Sequence, residues 1–273
     1  MEIILHQLYG NVLIPKVRDI LSVAKTNGFI VPNERTILAI NTFIKKAMHY
    51  GLWEKFDYFL NGAYNDVNML NFSRIDWRFP HNMRNTSPIA FIGDIDYSAN
   101  GWKFKGLQNS FIDTGHYANN TQRKSSKTNL HYASVVNDIS GVSVIADTLI
   151  SSGQSNTWDT FLGTNTDRHK IASATSLVNL NSNADLTGTG LKTISRTSST
   201  DVILSNKSTI INRTSNGGDL PPLSIWIGRN STTRFSKLGL SNFSIGQAIN
   251  DKTELYRQLY NEFLTEIGLN PIA

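Results

Sequence analysis

Cysteine is absent from all 273 residues, which excludes disulfides, thiolate nucleophiles and cysteine-based zinc or iron–sulfur sites. Also missing is any apolar run near the roughly 20 residues that a membrane-spanning helix needs. The opening Met1-Glu2-Ile3-Ile4 has neither the basic leader nor the long apolar segment of a secretory signal. Charge is sparse: 26 Lys plus Arg stand against 21 Asp plus Glu, a net +5 that is too mild and too dispersed to demand nucleic acid. Glutamate has the most telling gap. It occurs at 2, 34, 54, 254, 262 and 266 and nowhere between 54 and 254.

Hydroxyl and amide side chains fill that gap. Of the 100 residues from Asn119 to Gly218, 44 are Ser, Thr or Asn and 6 are acidic. These side chains bond locally to backbone and favour turns over helix interiors. Short apolar-alternating pieces lie among them, at Leu130 to Val135, Thr148 to Ile150, Thr160 to Leu162 and Asp201 to Leu204. Short strands punctuated by turn residues predict an all-β sandwich. Asn100-Gly101 predicts a hairpin turn, after which Trp102 and Phe104 point inward and Lys103 and Lys105 outward. Ile225 and Ile227 alternate with Trp226, so this strand is expected to be covered on both faces.

The two ends carry helical periodicity instead. Asn33 caps a stripe of Ile37, Ile40, Ile44 and Ala47 that Gly51 stops. Asp251-Lys252-Thr253-Glu254 reads as a capping box ahead of a helix to Ile267, with Leu255, Leu259 and Phe263 in one stripe, Tyr256 and Tyr260 beside it, and Gly268 and Pro271 as the stop. Nearer the start, Lys16 to Thr26 predicts a helix burying Val17, Ile20, Leu21 and Ala24 and closed by Asn27-Gly28, while Ile3 to Leu5 and Asn11 to Ile14 read as short strands. This first piece is too small to bury its own apolar residues. It must lean on the sandwich, on a second copy or on a partner.

From Gly51 onward several segments resemble one family in order. Gly51-Leu52-Trp53-Glu54-Lys55-Phe56-Asp57-Tyr58-Phe59, Gly101 to Gly106 with Phe111 to Gly115, Ser195 to Thr200 with Leu204 to Lys207, Leu223 to Asn230, and Phe243 to Gly246 with the following helix are similar to concanavalin A-like (laminin-G-like) sandwich domains of bacteriophage virion proteins, especially the fibre-type structural proteins of crAss-like phages. The likeness covers about residues 36–268. It implies a mainly β, two-layer antiparallel jelly roll over residues 51–273, with a helical extension before it and a helix closing it. It further implies a structural protein of the virion (head fibre, tail fibre or decoration protein) mounted on capsid or tail proteins through residues 1–50, a homo-oligomer with a trimer favoured by analogy with fibres.

Glycan-cleaving relatives of this fold need two close carboxyls, and the Glu gap leaves only Asp94-Ile95-Asp96, better read as a solvated strand end. The His residues 6, 49, 81, 116, 131 and 169 have no ligand spacing. Asp94, Asp96, Asp138 and Asp147 are scattered acids rather than a calcium set. No catalytic residue, cofactor or metal is expected, and no nucleic-acid or membrane partner. Arg123-Lys124-Ser125-Ser126-Lys127 lacks stacking rings and reads as a solvated loop. Tyr117 and Trp158 are the candidate contacts for a host surface glycan. Three readings stay open: structural virion component, glycan-binding adhesin and glycan hydrolase.

Overall fold

The computed structural model describes residues 12–81, 90–107, 110–117, 123–140, 147–152, 155–162, 166–171, 178–181, 188–206, 209–214, 216–217, 219–220, 224–230 and 234–272, with the strands between 147 and 181, Asn230 and Arg234 described by backbone alone. Among the described residues one antiparallel sheet holds eight strands. Its order is β13 (Thr209–Thr214), β12 (Asp201–Asn206), β11 (Gly190–Arg196), β6 (Leu130–Asp138), β17 (Gly239–Gly246), β4 (Gly101–Phe104) and β3 (Ile95–Ser98), and β1 (Phe56–Asn61) pairs with β17 beside β4. The other holds seven, in the order β10 (Val178–Asn181), β9 (Thr166–Ile171), β8 (Ser155–Leu162), β7 (Asp147–Ser152), β14 (Ser224–Ile227), β5 (Phe111–Tyr117) and β2 (Ala90–Ile92). A small ribbon pairs β15 (Arg229–Asn230) with β16 (Arg234–Phe235). The chain is thus mainly β, a two-sheet antiparallel sandwich with helices before and after it.

Three helices form a further layer. In α1 (Pro15–Thr26) a proline in the first turn needs no N–H partner, and Val17, Ile20, Leu21 and Ala24 form the expected buried stripe. In α2 (Glu34–His49) the Asn33 side chain accepts from the Thr36 N–H at 2.9 Å, the predicted cap. In α3 (Thr253–Ile267) the stop at Gly268 is as read, but the capping box does not form: Lys252 occupies the cap position without a side-chain bond. Glu254 turns instead to Arg257, one turn along the helix, accepting from its Nε at 2.9 Å. A full charge three residues away outcompetes a backbone N–H.

The helices cover one face of the eight-stranded sheet and the seven-stranded sheet covers the other. Along β6 and β11 the side chains divide accordingly: Ala133, Val135 and Leu191 join the helix-side core, while Leu130, Tyr132, Val136 and Ile194 join the core between the sheets. The helix-side core is aromatic. Phe59 on β1 packs on Trp77 (ring centroids 5.3 Å) and on Phe43 of α2 (5.5 Å), and Phe263 of α3 meets Trp77 at 5.9 Å. Residues on either side of position 50 therefore share one core. Leu13, Val17, Ile20 and Leu21 are buried within the chain and need no second copy to cover them. Residues 12–14 are not strand, since Asn41 of α2 ties them down: its Oδ1 accepts from the Ile14 N–H at 2.9 Å and its Nδ2 donates to the Val12 carbonyl at 3.2 Å. The expected strand at Ile3 to Leu5 lies outside the described residues.

Many hydroxyls and amides expected in turns sit inside strands on the helix-side face. Thr193 and Ser205 share a 2.6 Å bond, the Ser195 hydroxyl accepts from the Ile249 N–H at 3.2 Å, and the Tyr260 hydroxyl donates to Asn61 Oδ1 at 2.8 Å. The basic loop is likewise not solvated at its start: Arg123 and Ser125 are 9% and 8% exposed. The Asp57 carboxylate accepts from the N–H groups of Lys124 (3.0 Å) and Ser125 (2.8 Å), strapping this segment to β1. A buried carboxylate needs such donors, and the strap meets that need.

Candidate functional site: the open face of the seven-stranded sheet

One large face carries no helix or second sheet among the described residues, the outer face of the seven-stranded sheet. Register identifies what stands on it. Ile112 on β5 and Ile227 on β14 are paired and both lie in the inter-sheet core. Their neighbours Phe111, Asp113 and Trp226 therefore project outward. Asp113 is opposite Trp226, and Ala90 of β2 and Ser151 of β7 continue the same row.

Two aromatic side chains stand in the row, Phe111 buried at 6% exposure and Trp226 partly exposed. Phe111 and Trp226 lie with ring centroids 5.2 Å apart. The Arg229 guanidinium covers both, 4.7 Å from the Phe111 ring and 5.0 Å from the Trp226 ring, a cation over two negative ring faces. Strand alternation alone would send residue 229 inward. Gly228 prevents that: its φ of +89° breaks β14 and starts the β15–β16 ribbon, and a Cβ there would meet the Phe104 ring at 2.5 Å. The Ser236 N–H donates to the Gly228 carbonyl at 2.8 Å and fixes the kink. Trp226 is partly covered, in line with the expectation, though by Phe111 and Arg229 rather than a further layer. Its indole N–H is shielded and has no acceptor among the described residues.

Tyr117, one of the two residues singled out as glycan contacts, ends β5 on this side of the sheet, 42% exposed and opposite Ser224. Gly115, with φ +60° and its N–H bonded to Asp113 Oδ1 at 2.9 Å, marks the bulge between the Asp113 and Tyr117 pairings. Trp158 lies in β8 opposite Ile171, and its side chain is outside the described residues. Sheet order puts β14 and β7 between β8 and β5, roughly 14 Å at the usual strand spacing. Tyr117 and Trp158 therefore do not share one sugar-sized spot. Sequence reasoning passed over Phe111, Trp226 and Arg229; the signal available was the Ile225-Trp226-Ile227 alternation followed by glycine.

Behind this face, between the sheets, His116 is fully buried, its ring nitrogens without a hydrogen-bond partner among the described residues, edge-on to Tyr58 at 5.6 Å. Burial, with Arg123 nearby, holds its pKa well below the usual histidine value, so it is a neutral core residue. Asp94 (2.6 Å) and Asp96 (2.9 Å) share Lys105, and Asp138 pairs with Lys103 (2.7 Å). Asp147 lies in β7, its side chain outside the described residues.

Comparison with solved structures agrees with this architecture. The binding domain of botulinum neurotoxin DC in complex with SialylT is similar at a TM-score of 0.52 and 13% identity, over 76% of this chain and 52% of that one. The same domain in complex with rat synaptotagmin II gives 0.50 at 14% identity, over 76% and 52%. The serotype D binding domain gives 0.50 at 12%, again over 76% and 52%. The chain thus spans about half the length of these structures, and the likeness is one of fold: a concanavalin A-like jelly-roll sandwich. No protein-family model and no curated protein matches the chain.

Proposed function

We propose that this chain is a non-enzymatic, carbohydrate-binding sandwich that serves as a structural component of a bacteriophage virion, as a head fibre, tail fibre or decoration protein. The observation that carries the binding half is the partly exposed Trp226, packed on buried Phe111 and under Arg229, with Asp113 and the exposed Tyr117 beside it, on a sheet face that no described helix or second sheet covers. Aromatic rings offer a sugar its apolar contact while nearby polar groups fix its hydroxyls. The non-enzymatic half is supported by the sequence, which has no Glu between 54 and 254, whereas most glycoside hydrolysis uses a pair of close carboxyls. The ordered segments between residues 36 and 268 support the virion half. In this reading residues 1–50 are the mount, the helix side faces the particle, the sandwich points outward, and three copies associate at that mount.

A glycan array with the full chain tests the binding half. Sialylated saccharides belong among the probes because one structurally similar domain is in complex with SialylT. Binding should fall at least about tenfold in Trp226→Ala, about 1.4 kcal/mol, and an array with no signal removes the proposal. Release of reducing sugar from a bound glycan would instead favour the hydrolase reading. Light scattering of the pure chain at micromolar concentration tests the trimer, and immunogold labelling of particles tests the location.

A further inference from the structure

We infer that a second, separate saccharide site lies at the rim of the eight-stranded sheet, in the cleft between the β3–β4 turn and residues 270–272, and that it takes a neutral sugar unit. The cleft has a volume of about 440 Å³, with Asn100, Asn137, Thr189 and Asn270 among its lining residues. That is within the range of small-ligand sites.

Its charges are already spent. Lys103 Nζ meets the Asp138 carboxylate at 2.7 Å and donates to the Ser140 carbonyl at 2.8 Å, and Asp138 Oδ1 accepts from the Ser140 N–H at 2.6 Å. A cleft compensated in this way offers little attraction to a ligand of either sign. What remains are amides and hydroxyls. Asn137 spends its Nδ2 on the Asn100 carbonyl (2.6 Å) and on Ser241 Oγ (2.8 Å), which leaves its Oδ1 as an acceptor. Asn100 and Asn270 are exposed, and among the described residues their side-chain amides have no hydrogen-bond partner. Each amide presents a donor and an acceptor together, which matches a pair of neighbouring sugar hydroxyls. The exposed Pro271 supplies an apolar wall for the C–H face of the ring.

The outer wall is built rather than loose. Asn261 on α3 clasps the tail from both sides, donating from Nδ2 to the Ile272 carbonyl at 3.1 Å and accepting from the Ile272 N–H at 2.8 Å. Asn270 is thereby held over the cleft before any ligand arrives, and such preorganisation lowers the cost of binding. The inference is independent of the aromatic platform, which lies on the other sheet.

Two-dimensional NMR of the full chain tests it, with methyl α-D-mannoside and methyl β-D-galactoside as neutral probes and glucuronate as the charged one. At millimolar concentration one of the neutral glycosides should shift the side-chain amide signals of Asn100 and Asn270, and glucuronate should bind more weakly. Asn100→Ala and Asn270→Ala should each weaken that response about tenfold. Asn261→Ala, which removes the clasp but no contact group, should weaken it less while broadening the Asn270 signal. In Trp226→Ala the response should persist, so failure of the platform leaves this site standing. Unmoved Asn100 and Asn270 amides, unchanged affinity in both alanine variants, or preference for glucuronate would each overturn the inference.

Discussion

The central strands of the eight-stranded sheet are buried on both faces, whereas the seven-stranded sheet has an outer face that no described helix or second sheet covers. In the eight-stranded sheet β17 and β11 are buried at every position, and polar side chains there such as Thr193, Ser195 and Ser244 bond to neighbouring strands, to Ile249 or to the last helix. On the other sheet, outward positions of β5 and β14 carry a partly exposed Trp226, the carboxylate of Asp113 and the exposed Tyr117. Substitutions in the first sheet should therefore be read in stability, those in the second in recognition.

The largest effect expected is at the helix-side core. Phe263 is 1% exposed, with the Phe43, Trp77 and Tyr260 rings 5.7–6.1 Å away. Phe263→Ala should cost about 3–5 kcal/mol in urea denaturation. A cost under about 0.5 kcal/mol would break the contrast between the sheets. Gly228→Ala comes next, because both the +89° φ and the Phe104 ring oppose a side chain there. It should cost about 1–3 kcal/mol and also abolish glycan binding, by swinging Arg229 off the rings.

Acid separates the buried histidines from the surface. His131 is buried between β17 and residue 247, and desolvation pushes its pKa down to about 4, against about 6.5 in an unfolded chain. The folded state thus resists the proton that the unfolded state takes up. This contribution is whole above about pH 6.5 and is lost progressively as pH falls toward 4, on the order of 1–3 kcal/mol in all. His116 acts in the same direction. Asp76 opposes them: burial pushes its carboxyl up to about 6, so its folded state favours the proton and gains as pH falls through 6. Urea midpoints at pH 7, 5.5 and 4.5 should decline for the wild type and decline less steeply for His131→Asn. Equal slopes would remove the histidine from the account. The smallest effect belongs to Glu254→Gln, which removes an exposed ion pair with Arg257 and should change stability by less than about 0.5 kcal/mol.

What could be read from sequence was what depends on neighbours in the chain. The Asn33 cap, the stripe from Val17 to Ala24, the Asn100-Gly101 turn and the stop at Gly268 each need only a few adjacent residues. What could not be read depends on partners far away. Arg123 looked like part of a solvated basic loop because its anchor, Asp57, is 66 residues earlier. Ser195 of β11 looked like a turn former because the Ile249 N–H that uses its hydroxyl is 54 residues later. Arg229 reaches the aromatic platform only through the kink at Gly228, which alternation cannot foresee. The fold was thus more legible than the site, whose members come from β5, β14 and β15.

Strand β17 has a consequence for how the molecule is made. It pairs with β6 on one side and with β1 and β4 on the other, yet it comes after every one of them in the chain. Until residue 246 has left the ribosome, β1 and β6 have no strand to join them, and α3 must follow before the aromatic core is sealed. Assembly dominated by such distant pairings is slow. A nascent chain therefore carries nearly its whole length with unpaired edges, and translation interrupted before β17 leaves the eight-stranded sheet without its central strand.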